Sequence, residues 1–220
     1  MAVPNIPQGK PYQGMLEFGV DIEDKNIVAH LYTEDLRLRS VSKNDIVNYQ
    51  TLFADVNVMK TFATGETWTP DKTEDRVNRW VSRWQNSNPY SAFAIYHKEQ
   101  DVFIGHCIAG GGEDLHLDTN PNAGYSEMAY AIHRKDQGKT YGKQATAAVV
   151  QKFVPWCKEK HYLVSTAAGK EGGARPLEWL TATTLVDNVA STRILTGLGF
   201  ECKRQEGKFG KQRGIFALKV

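Results

Sequence analysis

The stretch LYTEDLRLRSVS (31–42) alternates Leu36, Leu38 and Val41 with charged residues, a period of two that predicts a strand. Ser42 with Asp45 three residues later is a capping-box start. It predicts a helix over 43–54 that buries Ile46, Tyr49 and Phe53. A second helix begins after TWTPDKTEDR, capped by Thr69 or Asp71 with Pro70 in the entry turn. Val77, Trp80, Val81 and Trp84 then fall on one helical face. Ala92 to His97 and Val102 to Ala109 read as a hairpin, and Ala123 to Ile132 as a further strand. Ala145, Ala148, Val149, Phe153 and Trp156 form the apolar face of a third long helix, bent late by Pro155. Trp179 to Leu185 resumes a strand. The next helix starts at Asp187 or Asn188, buries Val189, Ile194, Leu195 and Leu198, and stops at Gly199. Two strands around a glycine turn end the chain. The order β-α-α-β-β-β-α-β-α-β-β is that of an α/β or α+β fold with a mixed sheet.

Pro4, Pro7 and Pro11 with Gly9 and Gly14 predict a loosely held extended arm, while residues 15–29 are ambiguous. A flexible insert containing STAAGKEGGARP is expected near 157–178. The chain therefore divides into an arm over 1–30 and a single domain over 31–220.

The 220 residues suffice for one substantial core. Lys plus Arg number 27 and Asp plus Glu 25, a balance that argues against nucleic acid as the main partner. No apolar run approaches the roughly 20 residues of a membrane span, and the N-terminal stretch lacks the basic and apolar regions of a secretory signal. Cys107, Cys157 and Cys202 are widely spaced, and His106, Cys107 and His116 do not follow metal-ligand spacing. These features predict a reduced, cytoplasmic protein without a disulfide scaffold or a metal.

Candidate chemistry concentrates in QGKTYGKQ (137–144), between a strand and a helix. Amides at a helix start have no intrahelical acceptor and carry the positive end of the helix dipole, which suits a phosphate or diphosphate. Gly138 and Gly142 allow close approach, Lys139 and Lys143 add charge, and Thr140 adds a hydroxyl. The competing reading is a glycine-rich turn with solvated lysines. Neither the Walker spacing nor a dinucleotide GxGxxG is present. Asn188 and Ser191 share one face of a later helix start, where they offer hydrogen bonds to an elongated ligand. Alternatively Asn188 is only a cap.

Taken together, these segments resemble the GNAT superfamily of acyl-CoA-dependent N-acyltransferases. The resemblance is to the Rim-type branch, which includes ribosomal-protein N-terminal acetyltransferases. It rests on LYTEDLRLR (31–39), Glu127-Met128-Ala129-Tyr130, Gln137-Gly138-Lys139-Thr140-Tyr141-Gly142, and Asn188 through Phe200, and it spans roughly 31–220. It implies a mostly antiparallel twisted sheet flanked by helices, with acetyl-CoA as co-substrate and a primary amine as acceptor. The acceptor would be a protein N-terminus or a small-molecule amine. By the same resemblance, Ile132 and His133 amides polarise the thioester, and Gln137, Gly138, Lys139, Thr140, Tyr141, Gly142, Lys143, Asn188 and Ser191 hold the cofactor. Glu127 is the candidate base, against a solvated carboxylate or a partner of Arg134. Ser191 is a candidate proton relay. Thr140 stands where the family has a central glycine, Gly197 where it has a lysine, and Leu195 where many members carry a tyrosine acid. A non-catalytic acyl-CoA-binding module and an ATP-binding enzyme are the alternatives. The 162–178 insert is a candidate lid or homodimer contact.

Overall fold

A computed structural model describes residues 6–111, 123–165 and 173–220. The chain opens with a hairpin of β1 (Glu17–Glu23) and β2 (Asn26–Tyr32), followed by β3 (Leu36–Ser40). Here the structure corrects two expectations. The ambiguous stretch 15–29 falls in a hairpin, and Leu31 and Tyr32 belong to β2 rather than to the strand after it. The intervening turn is closed by the Thr33 amide donating to the Leu36 carbonyl at 2.9 Å, without glycine or proline to announce it.

The helices α1 (Ile46–Ala54), α2 (Val56–Met59) and α3 (Pro70–Gln85) follow. The predicted capping box forms: the Ser42 amide donates to Asp45 Oδ2 at 2.7 Å. Buried Asp45 also takes both Nη groups of Arg39, at 2.8 and 2.7 Å. Thr69 caps α3 by accepting from the Lys72 amide at 3.2 Å, with Pro70 in the first turn.

The expected hairpin is β4 (Ala92–His97) and β5 (Phe103–Gly111), and β6 (Gly124–Ile132) pairs with β5. Next come α4 (Tyr141–Ala148), a π-helical turn over Val149–Phe153, and α5 (Val154–Glu159). The wide turn lies just ahead of Pro155, whose missing N–H and bulky ring disrupt the regular ladder there. The insert contributes the short β7 (Leu163–Val164), paired with β8 (Arg175–Leu185), so β8 begins four residues before the predicted Trp179. The rest of the insert's glycine-rich run, 166–172, and the loop over 112–122 lie outside the described residues. Finally α6 (Val189–Gly197) precedes the hairpin of β9 (Glu201–Lys208) and β10 (Lys211–Lys219).

The described strands form one sheet in the order β1-β2-β3-β4-β5-β6-β8-β10-β9, antiparallel except at β6–β8. This is the mixed, mostly antiparallel α/β architecture expected. One face is packed by α1 and α3: Tyr49, Phe53, Trp80 and Trp84 are all buried there. The arm is not loose over its described part. The Gly9 amide donates to Thr196 Oγ1 at 2.8 Å, and that hydroxyl also bonds the Pro7 carbonyl at 3.1 Å. A Cβ on Gly9 would stand 1.7 Å from the Arg193 carbonyl oxygen, and one on Gly197 would stand 2.7 Å from that of Lys10. The lysine-to-glycine departure at Gly197 is thus the surface against which the arm docks.

Candidate active site

The site is built on the single parallel contact of the sheet. β8 pairs with β6 only from Gly124 to Glu127; beyond that point the two strands part. On its other edge β6 stays paired with β5 through Ile132. The His133 amide donates to the Ile104 carbonyl at 2.9 Å, which fixes the alternation of the ladder. His106–Ala131, Ile108–Ala129 and Gly110–Glu127 are the hydrogen-bonded pairs, so the Tyr130 and Ile132 amides point away from β5 into the gap. Of the two amides expected to polarise a carbonyl, that of Ile132 faces the cleft. The His133 amide is spent in the sheet, and its ring packs edge-on against Phe103 at 5.7 Å. His133 is also not among the residues lining the cleft.

The cleft that opens at this splay measures about 690 Å³. Its two halves lie on opposite sheet faces. Glu127, Ala129 and Ala131 share a face with Ile108 and His106, because directly paired residues point the same way. α3 covers that face, with Trp80 stacked on the His106 ring at 4.7 Å. Tyr130 points to the opposite side, where its hydroxyl meets Ser191 Oγ on α6 at 2.8 Å.

On the Tyr130 side stands the N-terminus of α4. Thr140 caps it in the left-handed region at φ 64°, a strained place for a β-branched residue. Gly138, at φ 82°, has nothing within 4 Å of where a Cβ would be, so its outer surface is open to a ligand. The first amide of this helix to find a backbone acceptor is that of Gln144, which donates to the Thr140 carbonyl at 3.0 Å. Those of Tyr141, Gly142 and Lys143 are left facing outward, as the helix geometry requires. Gln137, Gly138, Thr140, Tyr141, Gly142 and Lys143 all line the cleft, as do Asn188 and Ser191. Lys139 does not. Its ammonium pairs with Asp136 at 2.9 Å, and that contact raises its pKa.

The loop is anchored from behind. Gln144 is buried and makes four hydrogen bonds. Its Oε1 accepts from Thr33 Oγ1 at 2.6 Å and from the Asp35 amide at 3.2 Å. Its Nε2 donates to Asp35 Oδ2 at 2.6 Å and to Thr140 Oγ1 at 3.1 Å. The Gln137 side chain donates to the Ile132 carbonyl at 3.0 Å, tying the loop to the splayed strand. Asn188 accepts from the Ser191 amide at 3.2 Å, so its cap role is realised at the edge of the cleft.

The structure adds residues that sequence reasoning missed. Tyr130 brings a phenol to α6 from the strand, while Leu195, at the position of the expected tyrosine, is buried in the core. Burial pushes the Tyr130 pKa well up, partly offset by the bond to Ser191. His106, set aside as a metal ligand, lines the cleft, and burial followed by the charge of Arg76 holds its pKa down to about 3. Its Nδ1 meets the Tyr49 hydroxyl at 3.1 Å. Arg76, Arg83 and Arg213 also line the cleft. Arg213 corrects the reading of 203–213 as a solvated hairpin face: only 4% of it is exposed. The signal available was its place directly before the apolar run Gly214 to Leu218, which is buried on both faces of β10 as far as Ala217. Five residues of extended strand, roughly 17 Å at strand rise, separate Glu127 from the end of β6 at Ile132, and Arg134 lies beyond it. Trp68 and Trp80 line the cleft, whereas Trp84 is core.

The acetyltransferase (GNAT) domain family matches residues 35–201. No curated protein matches the sequence. Among solved structures, an acetyltransferase of the GNAT family from Bacillus anthracis is similar, with a TM-score of 0.63 at 16% identity, covering 86% of this chain and 98% of the other. RimL, a ribosomal-protein α-N-acetyltransferase solved in complex with coenzyme A, has a TM-score of 0.62 at 14% identity over 85% of this chain and 95% of its own. A ribosomal-protein-S5-alanine acetyltransferase from Vibrio fischeri gives 0.61 at 15% identity, over 86% and 96%. At such identities the structural likeness speaks for the fold, and the family match covers most of the chain. This chain belongs to the GNAT family of acetyl-CoA-dependent N-acetyltransferases.

Proposed function

We propose that this protein acetylates a primary amine by direct transfer in the cleft where β6 and β8 part, after the manner of the Rim-type branch. The observation that carries the reading is the division of that cleft. An open helix N-terminus lies on one sheet face, a carboxylate on the other, and a free strand amide between them. The residues present fit the cofactor. The amides of Tyr141, Gly142 and Lys143, the bare surface of Gly138 and the Lys143 ammonium suit a diphosphate. Asn188 and Ser191 border the path toward the splay. Acetyl-CoA supplies an activated acyl carbonyl when bound there.

The chain's own groups do the rest. The Ile132 amide donates to the carbonyl oxygen as negative charge grows on it, an effect worth about 3 kcal/mol for one well-placed donor. Glu127 accepts the proton the attacking amine sheds, directly or through one water. The Tyr130 hydroxyl, held protonated by burial and bonded to Ser191, donates to the sulfur as the carbon–sulfur bond breaks. Ser191 thereby keeps its relay role, now as the partner of a phenol. The acceptor is a protein N-terminus, as the names of the ribosomal-protein relatives favour, or a small amine.

The test is release of coenzyme A thiol across an amine panel. Glu127→Gln is expected to lower kcat/KM by 100-fold or more while calorimetric affinity for acetyl-CoA is unchanged. A full rate for that variant at every pH removes Glu127 from the mechanism. Absence of binding heat with acetyl-CoA removes the reading itself.

A further inference from the structure

The acceptor half of the cleft is cationic. On the face shared by Glu127, it is approached by Arg76 and Arg83 of α3 and Arg213 of β10. Arg213 is buried, Arg83 is partly buried and Arg76 is exposed, and desolvation lowers the pKa of each. Among the described residues none of them forms an ion pair. Arg83 Nη1 donates to the Tyr90 carbonyl at 3.1 Å. Arg213 spends Nη1 and Nη2 on the Ala63 and Thr183 carbonyls, both at 3.3 Å, and its buried Nε has no acceptor. Arg76 only lies over the Trp68 ring, 5.6 Å from its centroid. Glu127 is the one acidic group among the described residues whose charge acts on Arg213, while Arg79 and Arg76 add repulsion to Arg76 and Arg83 respectively. A buried guanidinium with an unpartnered donor, beside a partly buried one, is costly unless something anionic meets it, and exposed Arg76 adds positive charge to the same cleft.

That something is not the cofactor's diphosphate. The α4 N-terminus, Ser191 and Tyr130 are on the opposite sheet face, and the arginines are tied to the α2–α3 connection and to α3. We infer that the amine acceptor carries an oxyanion, a carboxylate or a phosphate, which Arg213, Arg83 and Arg76 hold so that the amine falls beside Glu127. The inference rests on the acetyl-transfer reading and narrows it. Polyamines and aminoglycosides, which bear only positive charge, are excluded as preferred acceptors. Forked donors suit a planar carboxylate or a phosphate, and a partly buried charge-assisted pair discriminates strongly against the neutral analogue.

The experiment uses matched pairs. Thiol release is measured with glycine against glycinamide and with O-phosphoethanolamine against ethanolamine, in wild type, Arg76→Gln and Arg213→Gln. The expected result is a tenfold or greater preference in kcat/KM for the anionic member of at least one pair. Which pair shows it distinguishes carboxylate from phosphate. Arg76→Gln is expected to reduce that preference at least threefold, and it serves if Arg213→Gln fails to fold. Turnover with equal or reversed preference overturns the inference and leaves acetyl transfer standing. If no amine turns over, quenching of tryptophan fluorescence by N-acetylglycine against N-acetylglycinamide decides, since Trp68 and Trp80 line the pocket. Tighter binding of the carboxylate, reduced in Arg76→Gln, supports the anion site; equal binding of the two ends it.

Discussion

Gln144 shows what a single residue does for the site. It is buried, and both its oxygen and its amide nitrogen are doubly used, linking Thr33 and Asp35 in the β2–β3 turn to Thr140 at the start of α4. A neutral amide is the only group of this shape that can accept twice and donate twice here. Glu at this position would set a carboxylate against Asp35 Oδ2 and lose both donors. Gln144→Glu is therefore expected to lose about 2–4 kcal/mol of stability in urea titration and to weaken acetyl-CoA binding, because Thr140 loses its tether. A variant as stable as wild type would show that the network carries no net energy. Thr33 and Gln144 were each visible in the sequence as parts of separate motifs. Their bond was not, since nothing local relates residues 111 apart. Thr140 was legible as a departure from glycine, and the structure supplies the compensation: a left-handed threonine whose hydroxyl accepts from Gln144.

At the scale of elements, patterns that bury one face were readable and patterns at edges were not. The α3 stripe of Val77, Trp80, Val81 and Trp84 is buried as its spacing predicts. β1 is an edge strand: Phe18, Val20 and Ile22 alternate with polar residues and glycine, yet none of them is buried and Ile22 is 55% exposed. The splay between β6 and β8 could not be read either, because it depends on where a parallel pairing stops, at Glu127 and Thr181, which are 54 residues apart in the chain. Gly124 lies at the closed end of that pairing. A Cβ there would sit 2.3 Å from the Pro176 carbonyl oxygen and 2.6 Å from Val164 Cγ1. Neither backbone can yield without separating the strands. Gly124→Ala is expected to cost about 1–3 kcal/mol, the range for overpacking, and to reduce kcat/KM further than its stability loss explains, since it shifts the strand carrying Glu127 and the Ile132 amide. Unchanged kinetics in a folded Gly124→Ala protein would mean that the splay tolerates displacement at its root.

For the molecule as a whole, the family was legible because four short motifs fall in sequence, whereas the arginine cluster of the cleft emerged only when α3 and β10 were brought together. Burial of His106 gives the whole fold a pH dependence that composition does not suggest. Its ring lies between Tyr49 and Trp80, and its pKa falls from an ordinary value of about 6.5 in the unfolded chain to about 3. The unfolded state therefore binds the proton first, and stability declines as pH drops below about 6.5 and continues to decline toward the folded value. His133, also lowered by desolvation, adds in the same direction. Urea unfolding at pH 7.5 and pH 5.5 should show a loss of about 1.4 kcal/mol from His106 alone, in a window above the range where most carboxylates take up protons. His106→Gln is expected to be less stable at pH 7.5, because its stacking on Trp80 is gone, yet to lose less between the two pH values. If its pH slope equals that of wild type, the imidazole is not the group that resists protonation, and the neutral, desolvated floor assigned to this half of the cleft is wrong.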